Sequence, residues 1–279
     1  MEIEKNKAEA KAIVTSWKEN GLSVGFVPTM GALHEGHLML IRASQKENDK
    51  TVCSIFVNPL QFNRKEDLEN YPNTMEQDLE MLENEGCDLV FVPNAVAFYD
   101  GVVIPTYDFG LLGKTMEALH RPGHFEGVAA VINEFFKTLL PTRAYFGEKD
   151  FQQLAIIKWL VAKENFPVNI VACKTVRAES GLALSSRNLR LSADGRQLAA
   201  SIYETLHYCK NSKSNYSPTT LVTSAIDKLK KTFDVEYFEI VDGENFQQVE
   251  KWEESANPRA FVAAHLEGVR LIDNLSLNP

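Results

Sequence analysis

The sequence predicts an α/β protein: a parallel-sheet domain over residues 1–175, followed by a smaller α+β domain over residues 176–279. Two observations predict this class. Up to residue 175, short apolar and β-branched runs alternate with segments of helical periodicity, which is typical of strand–helix–strand units. From Ser192 the order changes to two helices followed by three strands, with a tight turn expected at Gly268. Strands joined by so short a turn pair antiparallel, so the second domain has a different architecture.

The composition narrows the function classes before any motif is considered. The 279 residues carry a formal net charge of −9, which argues against a general nucleic-acid-binding protein but not against a nucleotide held by local donors. No stretch approaches the roughly 20 apolar residues of a membrane span, and the N-terminus lacks the apolar core of a signal peptide. The scattered cysteines have no CxxC spacing, so we expect reduced thiols in a cytoplasmic protein. They are Cys53, Cys87, Cys173 and Cys209.

The loop after the first predicted strand has the strongest functional signal. An apolar run ends at Val27, the loop PTMGALHEGH follows, and helical periodicity starts at Leu38. This order places the loop at the carboxyl edge of the sheet, where the backbone N–H groups of a helix N-terminus suit a phosphate. Gly31 and Gly36 would let the backbone approach a bulky anion, so the loop predicts a phosphate site.

His34 and His37 lie three residues apart, so both can face one ligand. A metal site and two solvated histidines are the alternatives. The metal is less favoured, because the spacing differs from that of the zinc-protease helix and the cysteines supply no companion ligands. The strand–loop–helix setting favours a nucleotide phosphate.

Amide side chains follow the next predicted strand, which covers residues 51–57. Asn58 and Gln61 stand at its carboxyl end, where ligand-facing residues of an α/β sheet collect. They could hydrogen-bond a small polar substrate, although taken alone they are more typical of an ordinary Asn-Pro turn.

A helix is predicted over residues 74–85, with Thr74 and Gln77 as a capping box. Asp78 lies on its first turns, where acidic residues are commonly solvated or favourable to the helix dipole. In the Gly- and Pro-rich connection that follows, Arg121 and His124 could approach an anion or merely cap a turn; the next helix is predicted to start at Val128.

A second strand-to-helix loop, GEKD, follows a predicted strand over residues 143–146. Its Lys149 offers a compact positive charge to a phosphate, and Asp150 could cap the helix that starts at Phe151. Gln153 falls on the first turn of that helix and is expected at the same edge of the sheet. The composition Gly-Glu-Lys is common in turns. The phosphate-binding interpretation therefore depends on the position of this loop between a strand and a helix.

A third loop follows the last strand of the alternating series. Its Ser185 and Ser186 can donate to phosphate oxygens, and Arg187 can bind them in a bidentate manner. The alternative is a Ser-rich linker, which is less favoured after two other loops suited to phosphates.

Seven blocks of this sequence, in order and at the usual spacing, resemble the pantothenate synthetase (pantoate–β-alanine ligase) family of the HxGH nucleotidyltransferases. The blocks are PTMGALHEGH, SIFVNPLQF, YPNT, HRPGHFEGVA, YFGEKDFQQL, GLALSSRN and RLIDN. The resemblance implies a Rossmann-like N-terminal domain, a C-terminal lid and a homodimer. It also implies that pantoate and β-alanine are condensed with conversion of ATP to AMP and pyrophosphate through a pantoyl adenylate, a step towards coenzyme A.

The resemblance also implies roles for individual residues. His37 matches the proton donor, and His34, Lys149 and Arg187 match groups that stabilise charge on the phosphates. Other residues of the ATP site map to Met30, Gly31, Ala32, Leu33, Glu35, Gly36, Gly147, Glu148, Asp150, Val176, Leu184, Ser185 and Ser186. Substrate contacts map to Gln61, Gln153, Asn58, Arg121 and His124, and an Mg²⁺ environment to Asp78 and Glu117. Many members have Asp and Met where this chain has Ser180 and Leu184, which puts any contact of that Asp in doubt.

Three other functions remain as alternatives. One is a nucleotidyltransferase that keeps the adenylate in its product. Another is a remnant of a tRNA synthetase, which the acidic charge and the absence of an anticodon-binding extension disfavour. The third is a non-catalytic nucleotide-binding module, which would bind ATP but release no AMP.

Overall fold

The computed structural model describes residues 1–63 and 65–278. The chain divides into two compact units. The first unit contains Met1–Phe109, His120–Glu148 and Gln152–Lys174, and the second contains Gly110–Leu119, Lys149–Phe151 and Thr175–Pro279. The second unit thus includes two short segments, residues 110–119 and 149–151, that the sequence analysis assigned to the first domain.

The strands, in chain order, are β1 (Glu2–Glu4), β2 (Val24–Thr29), β3 (Lys50–Ile55), β4 (Leu89–Phe91), β5 (Arg143–Gly147), β6 (Asn169–Cys173), β7 (Asp234–Asp242), β8 (Pro258–Leu266) and β9 (Val269–Ser276). The helices are α1 (Lys7–Glu19), α2 (Glu35–Glu47), α3 (Lys65–Glu69), α4 (Met75–Asn84), α5 (Ala95–Tyr99), α6 (Met116–His120), α7 (His124–Leu139), α8 (Phe151–Glu164), α9 (Ala193–Ala199), α10 (Ser201–Ser212) and α11 (Pro218–Leu229). Short 3-10 turns cover Pro59–Gln61, Gly110–Gly113, Glu148–Asp150, Ser186–Arg190 and Trp252–Glu254.

The first unit is built on a six-stranded sheet in the order β1-β4-β3-β2-β5-β6, with every pair parallel. Strand β2 lies in the interior of the sheet. The strands that follow it in sequence, β3 and β4, lie on one side of it, and β5 and β6 lie on the other. A crevice outside the carboxyl ends of the strands at such a switch of direction is where α/β sheets bind ligands. The topology therefore points to the loops after β2 and β5.

The two faces of this sheet are covered by different helices. On one face, Val27, Cys53 and Val90 share a core with Ile41 of α2 and Leu82 of α4. On the other face, Phe26 of β2 meets Phe135 of α7, with ring centroids 5.3 Å apart. Almost every residue of α7 is buried, because this helix lies under the sheet rather than along the surface.

The second unit contains a three-stranded antiparallel sheet in the order β7-β8-β9. Helices α10 and α11 cover it, and Leu206 and Leu221 share a core with Phe238 and Val262 of the sheet. Strands β8 and β9 are joined through Glu267 (φ 51°) and Gly268 (φ 72°), both left-handed, as a two-residue hairpin turn requires. The predicted fold class, a parallel α/β domain with a smaller α+β domain, is confirmed.

Two sequence predictions about local structure are wrong. Thr74 is the N-cap of α4 but makes no side-chain bond to the helix backbone; its hydroxyl instead donates to the Asp78 carboxylate, at 3.1 Å. Helix α7 begins at His124, one turn before the predicted start at Val128. No helix in the described ranges has both the length and the apolar character that a bilayer crossing requires.

Candidate active site

The loop between β2 and α2 is held in place by the buried carboxylate of Asp78. The backbone N–H groups of Ala32 and Leu33 donate to its two oxygens, at 2.9 and 2.8 Å. Gly31 adopts φ 82°, and a Cβ there would lie 3.0 Å from the Asp78 carboxylate, so only glycine fits without strain. The loop is therefore fixed from α4, an element that lies far away in the sequence.

The histidines of this loop bind each other as well as the helix end. Nδ1 of His34 accepts the N–H of Gly36 at 3.1 Å, and Nδ1 of His37 accepts the N–H of His34 at 3.3 Å. The two rings are tilted by 31° to each other, with centroids 4.1 Å apart. A ring nitrogen that accepts a backbone N–H carries no proton, so the neutral imidazoles carry theirs on Nε2. Each Nε2–H is then a hydrogen-bond donor with a fixed position.

Most of the backbone N–H groups predicted to face a phosphate are bound within the protein. The N–H groups of residues 31 to 34, and those of residues 36 and 37, already have acceptors within the protein. The phosphate-binding role predicted for this loop can therefore rest on the imidazoles rather than on the backbone.

Gln61 lies next to this loop and is positioned by buried groups. Its Nε2 lies 2.8 Å from Sδ of Met30. Asn58 donates to Oε1 of Gln61 at 3.2 Å, and Nδ1 of His124 lies 2.8 Å from the Gln61 carbonyl oxygen. Asn58 and His124 are only 1% and 5% exposed, so Gln61 is held by two side chains of the protein interior.

Asn58 is saturated with protein partners, which differs from the predicted substrate contact. It also donates to the Gly127 carbonyl at 3.0 Å, and it accepts the hydroxyl of Tyr99 at 2.8 Å and the N–H of Leu60 at 3.2 Å. The structure therefore gives Asn58 a positioning role. Arg121 and Gln153, the other predicted substrate contacts, are half-buried residues of the same unit.

Residues at the end of β5 also lie at the carboxyl edge of the sheet. Gly147 pairs with Cys173 of β6 and is followed directly by Glu148. A Cβ on Gly147 would have no atom of the described residues within 4 Å, so open space faces this position. Parallel pairing of β2 with β5 places the two strand ends at the same edge as Met30.

In the second unit, the segment between Val176 and Leu184, both predicted residues of the ATP site, forms a small hairpin. The Leu184 N–H donates to the Val176 carbonyl at 3.0 Å, and Arg177 and Ala183 form a bridge pair. Val176 and Leu184 are therefore neighbours, as two residues that contact the same ligand must be. Ser180 is exposed in the turn of this hairpin.

The hairpin leads directly into the predicted phosphate-binding residues. Ser185 caps the 3-10 turn that follows, because its Oγ accepts the Arg187 N–H at 3.3 Å. Ser186 is buried, whereas Arg187 is half-buried. In the same unit, the Lys149 side chain is 17% exposed, with Nζ 4.0 Å from the Asp150 carboxylate.

Comparison with known proteins assigns the chain to a family. A model of the pantoate-beta-alanine ligase family matches residues 2–276. The chain belongs to the pantoate–β-alanine ligase family. A pantothenate synthetase of Cytophaga hutchinsonii is 45% identical over 92% of this chain and 93% of its own length, and one of Christiangramia forsetii is 44% identical over the whole of both chains.

Solved structures of the family have the same fold. The pantothenate synthetase of Thermus thermophilus aligns over 100% of both chains with a TM-score of 0.92 and 39% identity. A pantoate-beta-alanine ligase of Francisella tularensis, described as complexed with beta-gamma ATP and beta-alanine, gives a TM-score of 0.84 and 34% identity, covering 99% of this chain and 98% of its own.

The carboxylates predicted to surround Mg²⁺ in this ligase have other partners. Both oxygens of Asp78 accept backbone N–H groups, as described above. Glu117 pairs with the guanidinium of Arg270, at 2.7 and 2.8 Å, and accepts the hydroxyl of Tyr237. Within the described residues, no group of three or more His, Cys, Asp or Glu side chains could hold a metal ion. These residues therefore do not fit the predicted Mg²⁺ site.

The sequence analysis missed two residues of the ligase that touch the predicted site segments. Asp273 pairs with Arg177 of the hairpin, and Asn274 donates to the Lys149 carbonyl. Both lie in the RLIDN block, which resembled the family but received no role. The family resemblance of this block was the signal that could have found them.

Proposed function

We propose that this ligase joins pantoate to β-alanine in two steps, with ATP converted to AMP and pyrophosphate. In the first step the pantoate carboxylate attacks the α-phosphorus of ATP, the bond to pyrophosphate breaks, and pantoyl adenylate forms. In the second step the amine of β-alanine attacks the acyl carbon and AMP leaves with the bonding electrons. Adenylation is needed because a free carboxylate has a poor leaving group.

The histidine pair, on the loop whose Met30 contacts Gln61, is the observation that supports this proposal most. Negative charge accumulates on phosphate oxygens as pyrophosphate departs, and donors fixed in advance stabilise it without reorganisation. The two Nε2–H groups are such donors, because backbone N–H groups hold both Nδ1 atoms. Gln61, coupled to the same loop through Met30, is a suitable partner for pantoate.

We propose that the second unit supplies the remaining cations. Lys149 follows directly after Glu148, and Val176 follows the last residue of β6 by three positions. Lys149 and Arg187 would balance the charge on the triphosphate, and Val176 and Leu184 would contact the adenine. As the family resemblance implies, we further propose a homodimer in the cytoplasm; light scattering of the purified chain checks the dimer.

Product analysis tests the reaction. AMP release should require both pantoate and β-alanine, whereas exchange of labelled pyrophosphate into ATP should require pantoate alone. Exchange with a phosphorylated acceptor instead of pantoate would favour a nucleotidyltransferase. ATP binding without AMP release from any of these mixtures would show a binding module and refute the proposal.

A further inference from the structure

Strand β9 carries two adjacent buried polar residues, Asp273 and Asn274, which are 5% and 4% exposed. Strand β9 pairs with β8 at the edge of the antiparallel sheet. The side chains of the two residues bind segments of the second unit that are distant in sequence. One of these segments contains Arg177 and the other contains Lys149.

Asp273 fixes the hairpin formed by residues 176–184. Its two carboxylate oxygens accept the two terminal nitrogens of Arg177, at 2.6 and 2.9 Å. The same guanidinium donates to the Gly181 carbonyl at 3.1 Å and lies 3.8 Å above the ring of Tyr203. A bidentate pair with a stacked guanidinium allows only one orientation of the arginine, so the hairpin is fixed from inside.

Asn274 fixes the backbone at Lys149. Its Nδ2 donates to the Lys149 carbonyl at 2.9 Å, while its Oδ1 accepts a hydrogen bond from Arg259. The Arg259 guanidinium in turn lies 3.9 Å from the ring centroid of Phe151. The amide of Asn274 therefore has a donor side and an acceptor side that are both occupied, which determines its orientation.

We propose that Asp273 and Asn274 are positioning residues for ATP, which hold Lys149 and the segment from Val176 to Arg187 in one fixed relation. This inference rests on the proposed function, in which both segments contact the nucleotide. Buried ion pairs add little net stability compared with apolar residues, and their best-attested use is to fix one arrangement. Two cationic segments held by neighbouring residues of one strand meet a triphosphate without prior rearrangement.

The test uses isosteric changes in the full chain. Asp273→Asn removes the charge that binds Arg177, and Asn274→Asp removes the donor to Lys149 but keeps the acceptor for Arg259. Each should raise the KM for ATP in pantoate-dependent pyrophosphate exchange on the order of tenfold or more, because small displacements of positioned groups are costly. The KM for pantoate should stay unchanged. If an isosteric variant does not fold, Arg177→Lys replaces it in the test. This change keeps the charge but loses the bidentate geometry, so it should also raise the KM for ATP.

Arg270→Gln is the matched control. Arg270 lies on the same strand and its side chain is 20% exposed, but it pairs with Glu117 and Glu236. This variant should lose thermal stability and keep its KM for ATP. If Asp273→Asn and Asn274→Asp also change only stability, the positioning role is refuted while the proposed function stands. If the unmodified chain shows no pantoate-dependent exchange, the proposed function fails and the inference fails with it.

Discussion

At the scale of single residues, the chemistry depends on which nitrogen of each imidazole carries the proton. The backbone N–H of Gly36 and that of His34 occupy Nδ1 of His34 and His37, respectively. Protonation of Nδ1 would break these bonds and leave two N–H groups facing each other. The histidines are therefore arranged as neutral donors through Nε2, which is suited to a phosphate that already carries cationic partners.

Two substitutions of His37 separate its two roles. His37→Asn keeps an acceptor near the Nδ1 position and loses the Nε2 donor, so we expect a stable protein whose transition state is less stabilised by about 3 kcal/mol. His37→Gln places an N–H near the Nε2 position but loses the acceptor for the His34 N–H, so we expect lower stability with more remaining turnover. Rates of AMP formation and thermal unfolding measure both. An asparagine variant with unchanged turnover would contradict the donor role.

Asp78→Asn tests whether this carboxylate holds the loop or a metal. Its amide group would face a backbone N–H of Ala32 or Leu33, which leaves that buried donor without an acceptor, at a cost of about 1–3 kcal/mol in the free energy of unfolding. The Mg²⁺ concentration that gives half the maximal rate should not change. Glu76→Gln, an exposed change on the same turn of α4, is the control and should leave stability unchanged within about 0.5 kcal/mol. A raised Mg²⁺ requirement for Asp78→Asn would restore the metal assignment.

The sequence predicted where the candidate side chains lie but not which groups hold them. The placement of His34, His37 and Gln61 after neighbouring parallel strands could be predicted, because such loops collect at one edge of the sheet, and the roles of the three residues stay predictions. The role of Asp78 could not, because its partners precede it by more than forty positions and an acidic residue on a first helical turn is usually solvated. Asn58 was predicted as a substrate contact, but its amide is bound by protein groups. His124 is buried against Gln61, and its contact with substrate stays a prediction.

At the scale of elements, the first turns of α7 pack closely against the 3-10 turn Pro59–Gln61. A Cβ on Gly127 would lie 2.2 Å from the Leu60 carbonyl oxygen and 2.6 Å from the Gln61 nitrogen. Only glycine permits this approach, since both opposing atoms belong to the backbone. The position of Gln61 is thus set by the distance between two elements.

Gly127→Ala should therefore push the 3-10 turn away from α7. We expect lower thermal stability and a higher KM for pantoate, because Gln61 moves with the turn. Gly147→Ala is the contrasting change: a Cβ there meets no atom within 4 Å, so stability should be kept, while a methyl group at the candidate nucleotide edge should raise the KM for ATP. Steady-state kinetics with each substrate varied, together with thermal unfolding, checks both. A Gly127→Ala protein with unchanged stability would contradict the close packing.

Elements with long apolar patterns were predictable and short polar ones were not. Strands β2, β3 and β5 contain the apolar runs that the sequence analysis used. Strand β1, only Glu2–Glu4, was not predicted, because it has one apolar residue and gains its stability from parallel pairing with β4. Helix α7 starts a turn earlier than its sequence pattern because tertiary packing buries His124 and Phe125.

At the scale of the whole molecule, each unit has its own core, and buried thiols are part of both. Cys53 and Cys87 lie in the first unit and Cys209 in the second, all fully buried and reduced. Burial raises the pKa of the Cys87 thiol and that of the Cys209 thiol to about 12 and that of Cys53 well above its usual range. The thiolate is the reactive form, so these three residues are protected by both burial and protonation.

Thiol labelling should therefore modify the native protein at Cys173 first. This residue is only partly buried, and burial raises the pKa of its thiol, so it should react slowly at pH 8 and faster as the pH rises. At pH 8 a pKa of about 12 leaves only about one thiol in ten thousand ionised, so Cys87 and Cys209 should react only after unfolding in urea. Mass spectrometry of alkylated peptides, with and without urea, measures each site. Cys173→Ser is the control: it should abolish the native reaction and leave the labelling in urea at the other three cysteines. Rapid modification of Cys53, Cys87 or Cys209 in the native protein would show that the cores open more readily than their burial implies.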